Sequence, residues 1–183
     1  MTDERAAPIF FFAPFVSSTM RVEPAWIDYN GHMNMAYYHV LFDRALDEGF
    51  GVVGLGHDYV EERNASYFTA EVHALYKREL KLGDAVRVTI QLIDSDDKRL
   101  HVYLEIRHAA EGWVAASCES LLLHVDMTSR KVRPFPDDIL DNLSVMRAAH
   151  ARLARPASLG RVMGIPGRQG GFGEPLLATG TRH

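Results

Sequence analysis

Between Asp28 and Tyr37 a carboxylate, a glycine, an imidazole and an amide follow one another as Asp28-Tyr-Asn-Gly31-His32-Met-Asn34-Met35-Ala-Tyr37. Asp28, Asn30 and Gly31 carry turn chemistry, and Asn34 stands where a helix N-cap belongs. The residues that follow repeat as a helix does. Met35, Tyr38, Phe42, Ala45 and Gly49 recur at steps of three and four, and Leu41 and Leu46 widen the apolar stripe. The first N–H groups of a helix have no partner inside it and attract developing negative charge. A carboxylate beside such a helix start makes the stretch a candidate site as well as a scaffold. The competing reading is that Asp28 only closes an Asx-turn before Gly31, and that His32 only bonds the backbone across it.

The elements that must hold this stretch follow from the rest of the chain. Met20 to Ile27 reads as a first strand, and the central helix is expected from about Met35 to Glu48, dissolving at Gly49, Gly51, Gly54 and Gly56. A short helical turn is expected near Asp58 to Arg63. From Ser66 the period changes to two. Phe68, Ala70, Val72, Ala74 and Tyr76 alternate with Thr69, Glu71, His73, Leu75 and Lys77, which puts Thr69, Glu71 and His73 on one face. Turn signals at Gly83-Asp84, Asp94 to Lys98 and Glu111-Gly112 separate three more strands, so four strands at hairpin spacing predict an antiparallel meander on the helix. Asp137 is a cap for a second helix of about Asp138 to Leu153. The fold class is α+β.

At 183 residues and a net charge of −4, the chain is sized for one domain and gives no electrostatic argument for nucleic acid or an anionic membrane. Cys118 is the only cysteine, which excludes an internal disulfide and a cysteine-based zinc site and fits a cytoplasmic location. The apolar run from Ile9 to Val16 is too short to span a bilayer, and no small-residue cleavage site follows it; it reads as an arm whose aromatics pack on the domain or a second subunit. His73, His101 and His124 are spread over three strands without metal-ligand spacing, so no metal is expected. The Gly- and Pro-rich tail beyond Pro156 reads as mobile or wrapped on a neighbour; its Arg168-Gln-Gly-Gly-Phe-Gly173 follows no strand and opens no helix, and so fails as a phosphate loop.

The motif Asp28-x-x-Gly31-His32-Met33-Asn34-x-x-Tyr37, ahead of a long helix and a run of strands, resembles the hotdog-fold acyl-CoA thioesterases of the 4-hydroxybenzoyl-CoA type. The resemblance covers about Met20 to Pro136. It implies an antiparallel curved sheet wrapped around one long helix, divided as an arm (1–18), a hotdog domain (19–136), a C-terminal helix (137–154) and a tail (155–183). Glu71-Val-His73, Lys98-Arg99-Leu100-His101 and Leu122-Leu123-His124-Val125-Asp126 further resemble the thioesterases that accompany carnitine dehydrogenase and cleave betainyl-CoA. Two departures stand out. The 4-hydroxybenzoyl-CoA enzymes have a Pro-Ala-Gly type turn where this chain has Tyr29-Asn30-Gly31. A second branch carries its catalytic Glu within the helix, where this chain offers only Asp43 or residues near the helix end.

By this resemblance Asp28 attacks the thioester carbonyl or activates a water, and the Met35 amide, with Asn34 or Ala36, polarises the carbonyl oxygen. Asp28 is then expected in a partly closed pocket with Tyr29 or Tyr37 nearby. His32, Tyr37, Glu71 and His73 are the substrate-binding candidates. Glu71 would face the acyl pocket and hold a trimethylammonium group together with Tyr37, Tyr67, Phe68 or Trp26. Arg130, Lys131 and Arg133 are candidates for the coenzyme A phosphates. No cofactor is implied, since coenzyme A is part of substrate and product. The family builds its pocket between subunits of a homodimer or homotetramer. A hotdog hydratase or dehydratase, and a non-catalytic acyl-CoA binder, are the rival functions.

Overall fold

The computed structural model describes residues 13–164. Two short strands, β1 (Phe15–Val16) and β2 (Met20–Arg21), precede helix α1 (Met35–Gly51) and helix α2 (His57–Arg63). Strands β3 (Ala65–Tyr76), β4 (Ala85–Ser95), β5 (Arg99–His108) and β6 (Val114–Asp126) follow, then helix α3 (Asp137–His150). All pairings are antiparallel, in the order β1-β4-β5-β6-β3, with β2 also on β4. One sheet thus curves around α1, as the resemblance implies.

The core lies between them. Tyr38, Leu41, Phe42, Ala45, Leu46 and Phe50 of α1 are buried, against Val88, Ile90 and Leu92 of β4 and Val102, Leu104 and Ile106 of β5. The stripe is the expected one except at its start, where Met35 is 63% exposed. The helix does not end at Glu48 but runs through Gly49 to Gly51. Packing overrides propensity here: Phe50 is fully buried, and a Cβ at Gly49 would lie 2.7 Å from Ile90 Cδ1, so glycine lets helix and sheet approach.

Four other expectations are corrected. The first strand is only Met20–Arg21; Pro24 opens a 3-10 turn, Pro24–Trp26, that drives Trp26 into the core. The four strands are not a meander, because β3 pairs with β6 rather than β4. The connector between β3 and β4 passes the end of β6, where Lys77 and Arg78 donate their amides to the Ala115 carbonyl, and this leaves β3 at the sheet edge. Helix α3 begins one residue early with Pro136 at its N-cap, in place of Asp137, and ends at His150, whose Nδ1 accepts the Leu92 amide at 2.8 Å. Finally, a bulge between Thr69 and Glu71 inverts the faces of β3. Thr69 faces α1 with Val72, while Glu71 and His73 point to the outer face of the sheet.

Phe15 of the expected arm packs against Gly49 as part of the domain, and Ser18 ties it to α1 through Glu48 (2.7 and 2.6 Å). The arm's earlier aromatics and the tail beyond residue 164, with Arg168 to Gly173, lie outside the described residues. No described helix is long and apolar enough to cross a membrane.

Candidate active site

Three backbone contacts close the turn before α1. Ile27 bridges Met33, the Asp28 amide donates to the His32 carbonyl (3.1 Å), and the Gly31 amide to the Asp28 carbonyl (3.0 Å). Gly31 holds φ at 81°, a conformation that a side chain would strain. Asp28 Oδ1 accepts the Asn30 amide at 2.8 Å. Asp28 therefore does make the Asx-turn, with one oxygen, and its other oxygen takes no hydrogen bond from the described residues. The carboxylate is 15% exposed.

His32 Nδ1 lies 3.3 Å from the Met33 carbonyl and 4.0 Å from Asp28 Oδ1. It braces the turn, and meets the carboxylate as an ion only when protonated. Asn34 caps α1: its backbone is extended and its Oδ1 accepts the Ala36 amide at 3.0 Å. The Asn34 amide donates to Trp26, the Met33 amide to Leu80 and the Tyr37 amide to Asn34. The Met35 amide has no acceptor among the described residues, which leaves it available to a ligand oxygen.

The aromatic neighbours differ from expectation. Tyr29 is 97% exposed and closes over nothing, and Tyr37 stacks on Trp26 (5.5 Å, 12° between planes) with Arg44 also over the Trp26 ring. Tyr76 is the aromatic at the helix start, its hydroxyl 3.5 Å from the Met35 carbonyl and 3.4 Å from His39 Nε2.

Further along α1, a cavity of about 400 Å³ opens against β3, lined by His39, Phe42, Asp43, Leu46, Thr69 and Val72. Partial burial, and secondly Asp47, push the Asp43 carboxyl above the usual carboxylate range. Tyr67 donates to Asp47 (3.1 Å), and burial followed by Asp47 pushes its hydroxyl up strongly. Sequence reasoning gave His39 no role; its position four residues after Met35, on the same helix face, was the available signal.

Glu71 and His73 are not brought to this side. They line an outer-face cavity of about 490 Å³ with His101 and Glu119, which bond at 2.8 Å; Glu119 also accepts the Gly160 amide at 2.7 Å. Of the proposed aromatic partners, Tyr37, Tyr67 and Trp26 belong to the helix side. Arg130, Lys131 and Arg133 sit in the turn after β6, beside Ala65 at the start of β3. Arg133 is committed to Asp126 (3.0 Å), whose carboxyl is held down to about 2 first by the Ser129 amide and hydroxyl. Eleven strand steps separate Ala65 from Tyr76, roughly 36 Å at the usual rise. Within one chain, this cluster is therefore remote from the helix start. No group of three or more metal-binding side chains comes together among the described residues.

A family model described as the thioesterase-like superfamily matches residues 22–143. The L-carnitine dehydrogenase/betainyl-CoA thioesterase of Rhizobium meliloti is 40% identical over 144 residues, which cover 79% of this chain. This chain spans only 29% of that relative's length. A betainyl-CoA thioesterase of Pseudomonas aeruginosa is 35% identical over 145 residues, 79% of this chain and 91% of the relative. Among solved structures, a hypothetical protein of Staphylococcus aureus in complex with CoA superposes with a TM-score of 0.77 at 27% identity, over 86% of this chain and 99% of its own. A carboxylate with one free oxygen, set against a helix whose first amide is unpaired, is thus found in a chain that belongs to the thioesterase-like superfamily.

Proposed function

We propose that this protein hydrolyses an acyl-CoA thioester to the free acid and coenzyme A. The observation that carries the reading is the pairing of Asp28 and Met35 across one turn. The free oxygen of Asp28 delivers the attack on the thioester carbonyl, directly or through a water, and the Met35 amide takes up the negative charge that forms on the carbonyl oxygen. Asn34 caps the same turn by accepting the Ala36 amide, which fixes the helix start that carries the Met35 amide. The reading assigns no cofactor beyond water, and places the protein in the cytoplasm.

The relatives' names point to betainyl as the acyl group. Its trimethylammonium needs negative charge and apolar faces, and the helix-side cavity offers Asp43, Phe42 and Leu46. Asp43 stands eight residues, about 12 Å, along α1 from Met35. So short an acyl group does not touch it. At about that 12 Å separation and an effective dielectric near 20, the attraction is still about 1.4 kcal/mol.

The active form in this reading is at least a homodimer. Strand β3 is a twelve-residue edge with Phe68, Val72 and Tyr76 exposed, a form of edge that soluble proteins cover. Antiparallel pairing of two copies along β3 sets the Ala65 end of one strand beside the Tyr76 end of the other. The roughly 36 Å that separates the Arg130–Arg133 turn from the helix start within one chain is then bridged across the interface, where Lys131 and Arg130 can meet the coenzyme.

The test is release of free thiol from a panel of betainyl-CoA, its uncharged isostere, acetyl-CoA, a medium-chain and an aromatic acyl-CoA. Turnover of at least one, fastest with betainyl-CoA, is expected. Folded protein that releases thiol from none would overturn the reading.

A further inference from the structure

The helix start opens into a second, smaller cavity that sequence reasoning did not single out. It measures about 280 Å³ and is lined by Met33, Met35, Tyr38 and Tyr76, with Lys77, Arg78 and the Glu79 carboxylate just past the end of β3; Glu79 is itself paired with Lys81 at 3.4 Å. The apolar part includes Met35, whose amide has no acceptor among the described residues. The cationic part follows from how the connector after β3 is pinned: Leu80 accepts the Met33 amide at 2.8 Å, and Lys77 and Arg78 both bond Ala115.

The two cations are poorly neutralised. Arg78 lies over the Trp113 ring, 4.1 Å from its centroid, and forms no ion pair among the described residues. Trp113 is backed on His108 (5.0 Å, 10°), so the platform under the guanidinium is firm. Lys77 reaches Glu105 only at 4.0 Å, and Glu105 is already bonded to Arg107. An apolar trough that runs from the start of the helix to two weakly paired cations has the polarity of a thioester carried on a long neutral arm with phosphates at its far end.

We propose that this trough receives the pantetheine arm of coenzyme A, and that Lys77 and Arg78 of the same chain bind its phosphates. The inference rests on the acyl-CoA reading above. It assigns the nucleotide end to residues adjoining the helix start, beside any contribution from the remote Arg130–Arg133 turn of a second copy. Arg78 suits the role because its stacking leaves the guanidinium edge free for bidentate bonds to phosphate oxygens.

The experiment compares an acyl-CoA with the acyl-pantetheine that carries the same acyl group but no nucleotide, in wild type, Lys77→Ala, Arg78→Ala and Lys131→Ala. Each of the first two substitutions should raise KM for the acyl-CoA about ten-fold, the worth of one charge-assisted bond. Neither should change kcat or the KM for the acyl-pantetheine. Equal rises on both substrates would show that the side chains merely shape the trough, and no rise, or one confined to Lys131→Ala, would also overturn the assignment. Calorimetric titration with coenzyme A itself separates this inference from the enzymatic one. Weaker binding by the Lys77 and Arg78 variants supports the site even in a protein that hydrolyses nothing, and unchanged binding refutes it even in an active thioesterase.

Discussion

Two substitutions at Asp28 separate its place in the turn from its proposed part in catalysis. The Asx-turn uses one oxygen as acceptor for the Asn30 amide, at 2.8 Å. Asp28→Asn keeps an Oδ1 in that place, and the remaining turn bonds are backbone bonds and the His32 brace to the Met33 carbonyl. Its stability should stay within about 0.5 kcal/mol of wild type. Asp28→Ala removes the acceptor and should cost about 0.5–1.5 kcal/mol, a fall in Tm of roughly 1–6 °C for a chain of this size. Activity should divide the variants differently. Both lose the carboxylate, so kcat/KM should fall about a hundred- to ten-thousand-fold in each, the range for a lost acid–base group. The assay is thiol release beside a thermal melt on the same preparations. If Asp28→Asn turns over at the wild-type rate while Asp28→Ala slows in step with its melting point, Asp28 only builds the turn and the catalytic assignment fails.

Other expectations follow from the same contacts. His124 is fully buried, with Nδ1 2.9 Å from the Arg133 carbonyl and Nε2 2.9 Å from the Tyr59 hydroxyl, a neutral ring that donates to the first and accepts from the second. Burial holds its pKa below the ordinary 6.5, so below about pH 6.5 the unfolded chain binds a proton that the folded chain refuses, and stability should fall with pH down to the folded value, by up to about 1.4 kcal/mol per unit. Urea melts between pH 5 and 8 should show this slope in wild type and lose it in His124→Gln; equal slopes would remove His124 as the cause. Gly49→Ala would put a methyl 2.7 Å from Ile90 Cδ1 and 3.2 Å from Phe15 Cδ1, so the Ile90 tip must turn within a fully buried site; a cost of about 1–3 kcal/mol should outweigh the roughly 1 kcal/mol gained in helix propensity, and a variant that resists urea better than wild type would show that Ile90 turns at no cost. Asp43→Asn should cut kcat/KM for betainyl-CoA about ten-fold more than for its uncharged isostere, from the attraction of about 1.4 kcal/mol above. Glu71→Gln, on the outer face, should spare that ratio, and the reverse result would return the acyl subsite to β3.

The helix and the turn before it were legible because their signals are local. A three-and-four repeat, a capping amide and an Asx-turn involve residues within a few positions of one another, and each has one conformation that satisfies it. Even the miss at Gly49 is instructive. Propensity ends a helix at glycines, and only Ile90, Phe15 and the burial of Phe50, all supplied by the fold, keep this one running. The strand order was not legible for the opposite reason. Hairpin spacing says where strands begin and end; it does not say that the 77–84 connector will bond Ala115 and Met33 and carry the chain past the end of β6.

That crossing, together with a single unpaired residue, decides which parts of the site were visible in advance. An alternating pattern fixes which residues share a face only while every residue is paired. Between Thr69 and Glu71 the ladder slips by one, with Leu122 opposite the first and Leu121 opposite the second. Everything after the slip changes sides. Thr69 and Val72 therefore meet Phe42 and Asp43 of α1, whereas Glu71 and His73, which strict alternation grouped with Thr69, meet His101 and Glu119 behind the sheet. The carboxylate nearest the helix-side cavity is for that reason one from the helix, and the outer-face group of Glu71, His73, Arg99 and His101 is brought together by pairing across β3, β6 and β5 rather than by the turn that holds Asp28.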